Sequence, residues 1–236
     1  MPLLPVQAAQ LIAAAERAPY GRGDQTLVDT EVRRTWQIGA AQVRIAGKHW
    51  ARMLEALTER AATGLGAGAG VHAELYKLLI YDAGSFFVSH RDTEKAPGMF
   101  ATLIVALPSV HAGGELVVRH GGREVRLDLR CEDPSEAAFA AFYADCVHEV
   151  LPVKSGCRLV LAYNLLRKGR GRLPDRRITN PKPRRWRSCC TPGAKQKTRG
   201  MRKTQTMRKM PKTCRPIKTR PPSSSSHSST PTPPRS

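Results

Sequence analysis

Residues 73–92, AELYKLLIYDAGSFFVSHRD, carry the pattern on which the fold depends. Two short runs rich in apolar, β-branched and aromatic residues, AELYKLLIY (73–81) and SFFVSHRD (85–92), are parted by a turn containing Asp82 and Gly84, the signature of consecutive strands. The pattern recurs in FATLIVALP (100–108), GELVVRHG (114–121), REVRLDL (123–129), AAFAAFY (137–143), HEVLPV (148–153) and CRLVLAYNLL (157–166). Eight such strands separated by Gly, Pro and Asp turns predict a mainly β protein, a barrel or double-sheet jelly roll rather than an alternating βαβ sheet. The alanines of AAFAAFY also suit a helix.

Upstream, VQAAQLIAAAERA (6–18) is rich in helix formers and stops before Pro19, so a first helix is expected there. The glycine-rich YGRGD then leads into TLVDTEVRRTWQI (26–38) and AQVRIA (41–46), read as two short edge strands. From Lys48 to Thr63, Trp50, Met53, Leu54, Leu57 and Ala61 recur at helical spacing, and GLGAGAG (64–70) ends that second helix. Both helices are expected to cover the outer face of one sheet.

Charge divides the chain. Residues 1–166 hold 17 Lys/Arg against 18 Asp/Glu, whereas residues 167–236 hold 22 against one. Among Leu, Ile, Val and Phe, the second segment has only Leu173, Ile178 and Ile217, too little apolar surface to offset its ordering entropy, so it reads as a disordered basic tail. The spacing of Cys131, Cys146, Cys157, Cys189, Cys190 and Cys214 matches neither a zinc ribbon nor a secreted disulfide framework, and reduced thiols are expected. The N-terminus has no basic n-region, and its apolar run is too short for a leader or membrane span. A cytoplasmic or nuclear protein with no membrane partner follows; the clusters KPRRWR and KQKTRGMRK favour the nucleus.

The chemistry sits in the strands. His90 and Asp92, two residues apart in a segment of strand character, leave the backbone on one face. Alone the pair reads equally as an imidazole hydrogen-bonded to a carboxylate. With His148 it becomes two imidazoles and a carboxylate, the donor set that leaves half of an octahedral iron open. Arg158 is the only charge in its apolar run and offers a planar fork to a buried carboxylate. The Tyr81 hydroxyl is placed to reach the same carboxylate, an ordinary core tyrosine being nearly as good a reading. Lys77 shares the strand face of Tyr81 and reads as a solvated charge at the barrel mouth. His72, His111 and His120 fall in or near turns and are given no role. TEKAPGM (93–99) follows the candidate ligands and is placed to form a loop over the iron's open side.

In these positions the chain resembles the Fe(II)- and 2-oxoglutarate-dependent dioxygenases related to the catalytic domain of prolyl 4-hydroxylase. The family pattern of Tyr, His-x-Asp, distal His and a basic residue reads here as Tyr81, His90, Asp92, His148 and Arg158, with Gly113 to Leu116, GGEL, between them. The resemblance covers roughly residues 15–166. It implies a double-stranded β-helix, cupin-like, over about 73–166 within a dioxygenase domain of residues 1–166. His90, Asp92 and His148 would hold Fe(II), and Arg158 and Tyr81 would hold 2-oxoglutarate. O2 and ascorbate complete the implied cofactors, and hydroxylation of a C–H bond, of a peptidyl proline or another protein residue, is the implied reaction. Prolyl hydroxylases proper carry lysine where this chain has Arg158, a departure that is compatible with 2-oxoglutarate binding but counts against a prolyl substrate. Substrate contacts are expected on loops 93–99 and 109–113.

Two other readings stand beside the enzyme. A jelly roll that binds a metal without turnover would be a binding module. The 22 cations of residues 167–236 would bind nucleic-acid backbone non-specifically, although Trp186 is that segment's one aromatic residue. A localisation role, or no selected role, also fits that segment.

Overall fold

The alternation of short apolar runs with Gly, Pro and Asp turns produces two main antiparallel sheets. The structure, a computed structural model, describes residues 2–22, 25–131, 133 and 136–167. In chain order its elements begin with α1 (Pro5–Ala13), β1 (Glu16–Arg17), β2 (Tyr20–Arg22), β3 (Gln25–Leu27), β4 (Arg33–Arg34), β5 (Trp36–Gly39), a 3-10 turn (Ala40–Gln42) and α2 (Trp50–Leu65). There follow β6 (Val71–Tyr81), β7 (Phe86–His90), β8 (Met99–Ala106), β9 (His111–Gly113), β10 (Leu116–His120) and β11 (Arg123–Leu127). The last are β12 (Ala138–Tyr143), β13 (Val147–Val150), β14 (Val153–Gly156) and β15 (Arg158–Arg167).

The larger sheet runs β1-β5-β6-β15-β8-β12 and the smaller β11-β10-β13-β7-β4, with β14-β9 and β2-β3 as separate two-stranded ribbons. This is the jelly-roll architecture expected from the sequence. At the centre of the larger sheet, β15 is buried from Arg158 to Leu166. Cover on both faces explains why its sequence is a continuous apolar run rather than an alternating one. Helix α2 packs on β6 and β12 through Leu57, Ala61, Ala62 and Leu65, with Trp50, Met53 and Leu54 half-buried against the same core. The α2 helix ends at Gly66, whose φ of 68° is the left-handed conformation that glycine adopts without strain, and the Tyr143 hydroxyl donates to the nearby Leu65 carbonyl at 2.6 Å. Cys157 forms no disulfide among the described residues.

Three local expectations change. The first helix stops at Ala13 rather than Ala18, because Glu16 and Arg17 pair with Gln37 and Trp36 as the edge of the larger sheet, where the Arg17 guanidinium lies 3.5 Å from the Trp36 ring centroid. Pairing with a neighbouring strand here outweighs alanine's helical propensity. AQVRIA is a 3-10 turn followed by irregular chain, not a strand. HEVLPV is cut at Leu151–Pro152, since proline has no N–H for a ladder, and its halves join different partners, β10 and β7 for β13, β9 for β14. AAFAAFY takes its strand form as β12. The basic segment falls outside the described residues beyond Arg167.

Leu161 faces away from the cavity described below and is 1% exposed, paired with Leu78 on one side and Val105 on the other. Leu161→Ala should lower the unfolding free energy by about 2–5 kcal/mol, measured by urea titration, and a loss under about 1 kcal/mol would mean that this layer is not close-packed.

Candidate active site

Between the two sheets lies a cavity of about 380 Å3. Its floor is the inner face of β6 and β15, where register puts Tyr81 opposite Arg158, Leu79 opposite Val160 and Lys77 opposite Ala162. Its roof comes from β7 and β13, where His90 and His148 are register partners with ring centroids 4.1 Å apart.

The two imidazoles are held in the same way. His90 Nδ1 lies 2.8 Å from the Val88 carbonyl and His148 Nδ1 lies 3.0 Å from the Cys146 carbonyl. A carbonyl only accepts, so each Nδ1 carries the proton and each Nε2 presents its lone pair. Burial, then the neighbouring His148 ring, pushes the His90 imidazole down to about 3, so it is neutral at ordinary pH, as a metal ligand must be. Asp92 completes the group. It lies beyond the end of β7 rather than in the strand, anchored by its own N–H to the Ala144 carbonyl at 3.0 Å and by the Thr102 hydroxyl, which donates to Oδ2 at 2.6 Å. Its oxygens lie 4.0 Å from His90 Nε2 and 3.8 Å from His148 Nε2. These distances are too long for hydrogen bonds and suit donors grouped around a common point. One ligand atom from each residue falls within 4.8 Å of the others. Nitrogen and oxygen donors, preset tautomers and an oriented carboxylate fit an Fe(II) ion.

Arg158 is 2% exposed. Its Nη1 donates to the Gly114 carbonyl at 2.8 Å, its Nε has no partner, and no hydrogen bond to a carboxylate occurs among the described residues. The guanidinium carbon lies 5.4 Å from the centroid of the Tyr81 ring. A buried cation with free donors fits the distal carboxylate of a dicarboxylic oxoacid. Gly114 makes the approach possible: a Cβ there would come 2.8 Å from Val153 Cγ2 and 3.6 Å from Arg158 Cδ, at a φ of +75°. The GGEL element thus has a steric reason beside the arginine.

All five sequence-derived residues, Tyr81, His90, Asp92, His148 and Arg158, line this one cavity, and so do Thr93, Lys95 and Met99 of the expected loop. Loop 109–113 does not; Tyr20, Gly21 and Thr26 of the β2–β3 hairpin take a share of the wall instead. Lys77 is not a solvated charge at the mouth. It is 8% exposed, its Nζ donates to Gln37 Oε1 at 2.7 Å, and Gln37 in turn donates to Glu16 at 2.8 Å. Strand parity places it on the inner face with Leu79 and Tyr81, and the bulge just before it, where Tyr76 is an extra residue between the pairs Lys77–Ala162 and Leu75–Tyr163, brings Tyr76 to the cavity as well. His111 is also not in an exposed turn: it opens β9 half-buried, and burial, then the charge of Arg158, lowers its imidazole to about 4. Arg33, which the sequence did not single out, is 7% exposed, donates to the Pro19 carbonyl at 2.8 Å and lies over the Phe87 ring at 4.3 Å.

Fold and donor set together fit a non-haem iron oxygenase site. The family model of the 2OG-Fe(II) oxygenase superfamily matches residues 76–166, the stretch that holds all five candidate residues, and this match supports a dioxygenase using Fe(II), 2-oxoglutarate and O2. Similar solved structures include a prolyl-4-hydroxylase from Pseudomonas putida, 20% identical, with a TM-score of 0.45 over 70% of this chain and 89% of that one. A viral collagen prolyl hydroxylase from Paramecium Bursaria Chlorella virus-1, solved with 2OG, is 18% identical, with a TM-score of 0.38 over 71% and 92% of the two chains. A prolyl hydroxylase from Trichoplax adhaerens, solved with a hypoxia inducible factor peptide, is 15% identical, with a TM-score of 0.45 over 69% and 76%. No curated protein matches the chain.

Burial lowers the Lys77 ammonium from 10.5 to about 7, and the positive charges of Arg33 and Lys95 add to the shift. The unfolded chain therefore binds the extra proton between about pH 7 and 10.5, and the Lys77 contribution to stability rises with pH across that window. Urea midpoints at pH 7 and 9.5 should show that rise in the ligand-free protein, and Lys77→Met should remove it; equal slopes in both proteins would place Lys77 in solvent.

Proposed function

We propose that this chain hydroxylates a C–H bond of its substrate, with 2-oxoglutarate converted to succinate and CO2. The observation that carries the reading is the convergence of His90, Asp92 and His148 within 4.8 Å of one another in a cavity whose facing wall holds the buried Arg158 and Tyr81. In this reading His90 Nε2, His148 Nε2 and an Asp92 oxygen hold Fe(II), and Thr102 fixes the carboxylate's direction. Arg158 pairs with the distal carboxylate of 2-oxoglutarate, and the Tyr81 hydroxyl donates to the same group. Bound iron with 2-oxoglutarate supplies the oxidation: O2 delivers one oxygen atom to succinate and the other to the C–H bond. Leu79, Val160, Ile104, Phe142 and Val150 line the space around these groups and keep water from it. A protein residue, peptidyl proline included, is the substrate class from which this reading starts, since the Trichoplax adhaerens hydroxylase was solved with a peptide.

Anaerobic loading with Fe(II) and 2-oxoglutarate, followed by oxygen, should release succinate. His90→Ala, Asp92→Ala and His148→Ala should each abolish it while the circular dichroism spectrum stays native. Arg158→Ala should weaken 2-oxoglutarate binding by about 10- to 150-fold, the equivalent of roughly 1.5–3 kcal/mol for a charge-assisted hydrogen bond. Tight Fe(II) binding and turnover in His148→Ala would end the assignment.

We assign the catalytic unit to residues 1–166, with the jelly roll over about 73–166. The backbone of Arg167 still bonds to Gly98 at 3.1 Å. A chain ending at residue 168 should therefore fold and turn over 2-oxoglutarate at the full-length rate; insolubility of the short chain beside a soluble full chain would move the boundary toward the C-terminus.

A further inference from the structure

The cavity holds more buried positive charge than 2-oxoglutarate accounts for. Arg158 stands at the Tyr81 end of the β6–β15 floor. Lys77 lies four residues along β6 from Tyr81, about 13 Å away at the rise of a strand, and is also buried. Arg33 lies over the Phe87 ring at 4.3 Å, and Phe87 stacks on His90 at 3.5 Å, which places Arg33 on the same side as the metal-ligand group; its guanidinium also hydrogen-bonds to Tyr81, while its Nε has no partner among the described residues. Lys95, on the exposed loop after Asp92, lines the same wall. Against these cations Asp92 is the one carboxylate lining the cavity among the described residues, and Glu16 reaches Lys77 through Gln37.

Purely structural needs do not explain the group. Lys77 uses one of its three donors on a neutral amide and lies 4.2 Å from the Tyr76 ring centroid, and Arg33 uses Nη1 on a carbonyl, hydrogen-bonds to Tyr81 and covers the Phe87 ring; these contacts are with neutral groups and supply no carboxylate or other full negative charge to offset burial of a cation. An iron ion would add two further positive charges, and a 2-oxoglutarate dianion would balance only part of the total. Arg33, Lys77 and Lys95 line a cavity in which Tyr20, Met99 and Ile104 supply apolar surface beside them.

We propose that Arg33, Lys77 and Lys95 form a second anion site in this cavity, which takes a carboxylate or a phosphate-like group of the oxidised substrate and so presents a neighbouring C–H bond to the iron. The inference rests on the oxygenase reading above and gives it a substrate class: an acid whose anionic group lies a few bonds from the carbon that is hydroxylated. Arg33 offers a planar fork, suited to a two-oxygen contact, whereas Lys77 and Lys95 act as point charges. The depressed Lys77 pKa fits a site short of its anion.

The test uses the full chain, loaded anaerobically with Fe(II) and saturated with 2-oxoglutarate, and titrates sodium acetate or sodium sulfate as probes for the two anion types by calorimetry. Because the basic segment at residues 167–236 is common to all proteins compared, the difference between wild type and Lys77→Met isolates the cavity. Lys77→Met should bind the better of the two probes at least tenfold more weakly while its affinity for 2-oxoglutarate stays within twofold. Arg33→Gln gives the same comparison should Lys77→Met not fold. Identical probe isotherms in wild type and variants would overturn the proposal, because the anions would then bind elsewhere. A matching loss of 2-oxoglutarate affinity would overturn it too, since the cluster would then hold the oxoacid itself. Failure of wild type to bind 2-oxoglutarate in the presence of Fe(II) would instead sink the oxygenase reading, and is told apart by being measured first.

Discussion

Burying the Arg158 guanidinium between two sheets carries a desolvation cost of several kcal/mol, and the local architecture is arranged around that cation. It stands at the start of β15, the strand with neighbours on both sides and cover on both faces, so the side chain cannot leave for water. One donor is met by the Gly114 carbonyl, which requires a residue without Cβ at the point where β14 and β15 close against the GGEL turn. Tyr81 lies directly across the ladder. What the protein does not supply among the described residues is a hydrogen-bonded carboxylate, and a buried cation left in that condition is a binding site for one.

The donors for a metal come from the other sheet, and the separation has a physical use. In the proposed reading, three ligands on the cavity roof and an anion anchor on its floor would let a dicarboxylic oxoacid bridge the two sheets, so its two ends would be read by unlike chemistry. Each imidazole is preset by a carbonyl two residues before it in its own segment, His90 by Val88 and His148 by Cys146, so the strand backbone orients the ring without help from a second side chain. Asp92 lacks a ladder position and needs Thr102, which sits on β8 of the opposite sheet. The group is thus a joint between the sheets, and close packing around β15 is what keeps its members in register.

Much of this was legible from residue pattern alone. His90, Asp92, His148, Tyr81 and Arg158 stand out by their distinct chemical types, and the strand period of two puts Tyr81, His90, His148 and Arg158 on inward faces, whereas Asp92 reaches the cavity from beyond the end of β7. The lone charge of Arg158 in CRLVLAYNLL identified it as buried. The same argument holds for Lys77, a lone charge in LYKLLIY on the face of Tyr81, whereas the bulge that brings Tyr76 to the cavity depends on pairing with β15 and leaves no mark in the sequence. Arg33 was less legible still. In EVRRTW two adjacent arginines sit on opposite faces of a two-residue strand, and only the register with Phe87 decides that Arg33 turns inward. Thr102, a polar residue in FATLIVA, carried a faint signal of the same kind. Glu16 and Arg17 were misread as helix because alanine propensity is local, whereas the strand edge they complete belongs to residues twenty positions away.

The arrangement of charge along β6 follows from these contacts. Between Tyr81 and Lys77 the inward residue is Leu79, opposite Val160, so the anchor for the oxoacid and the ammonium near the metal-ligand side are parted by an apolar stretch. Low polarity there lengthens the reach of each charge by removing the water that would screen it. Two cations in such a medium repel one another, and the repulsion falls when either gains an anion. The ends of the cavity are therefore coupled: an anion that neutralises Arg158 lowers the cost of keeping Lys77 charged, and one at Lys77 eases the burial of Arg158. The first acid to bind therefore relieves the repulsion at both ends, and a second, meeting a cavity already partly neutralised, is held less tightly than it would be alone.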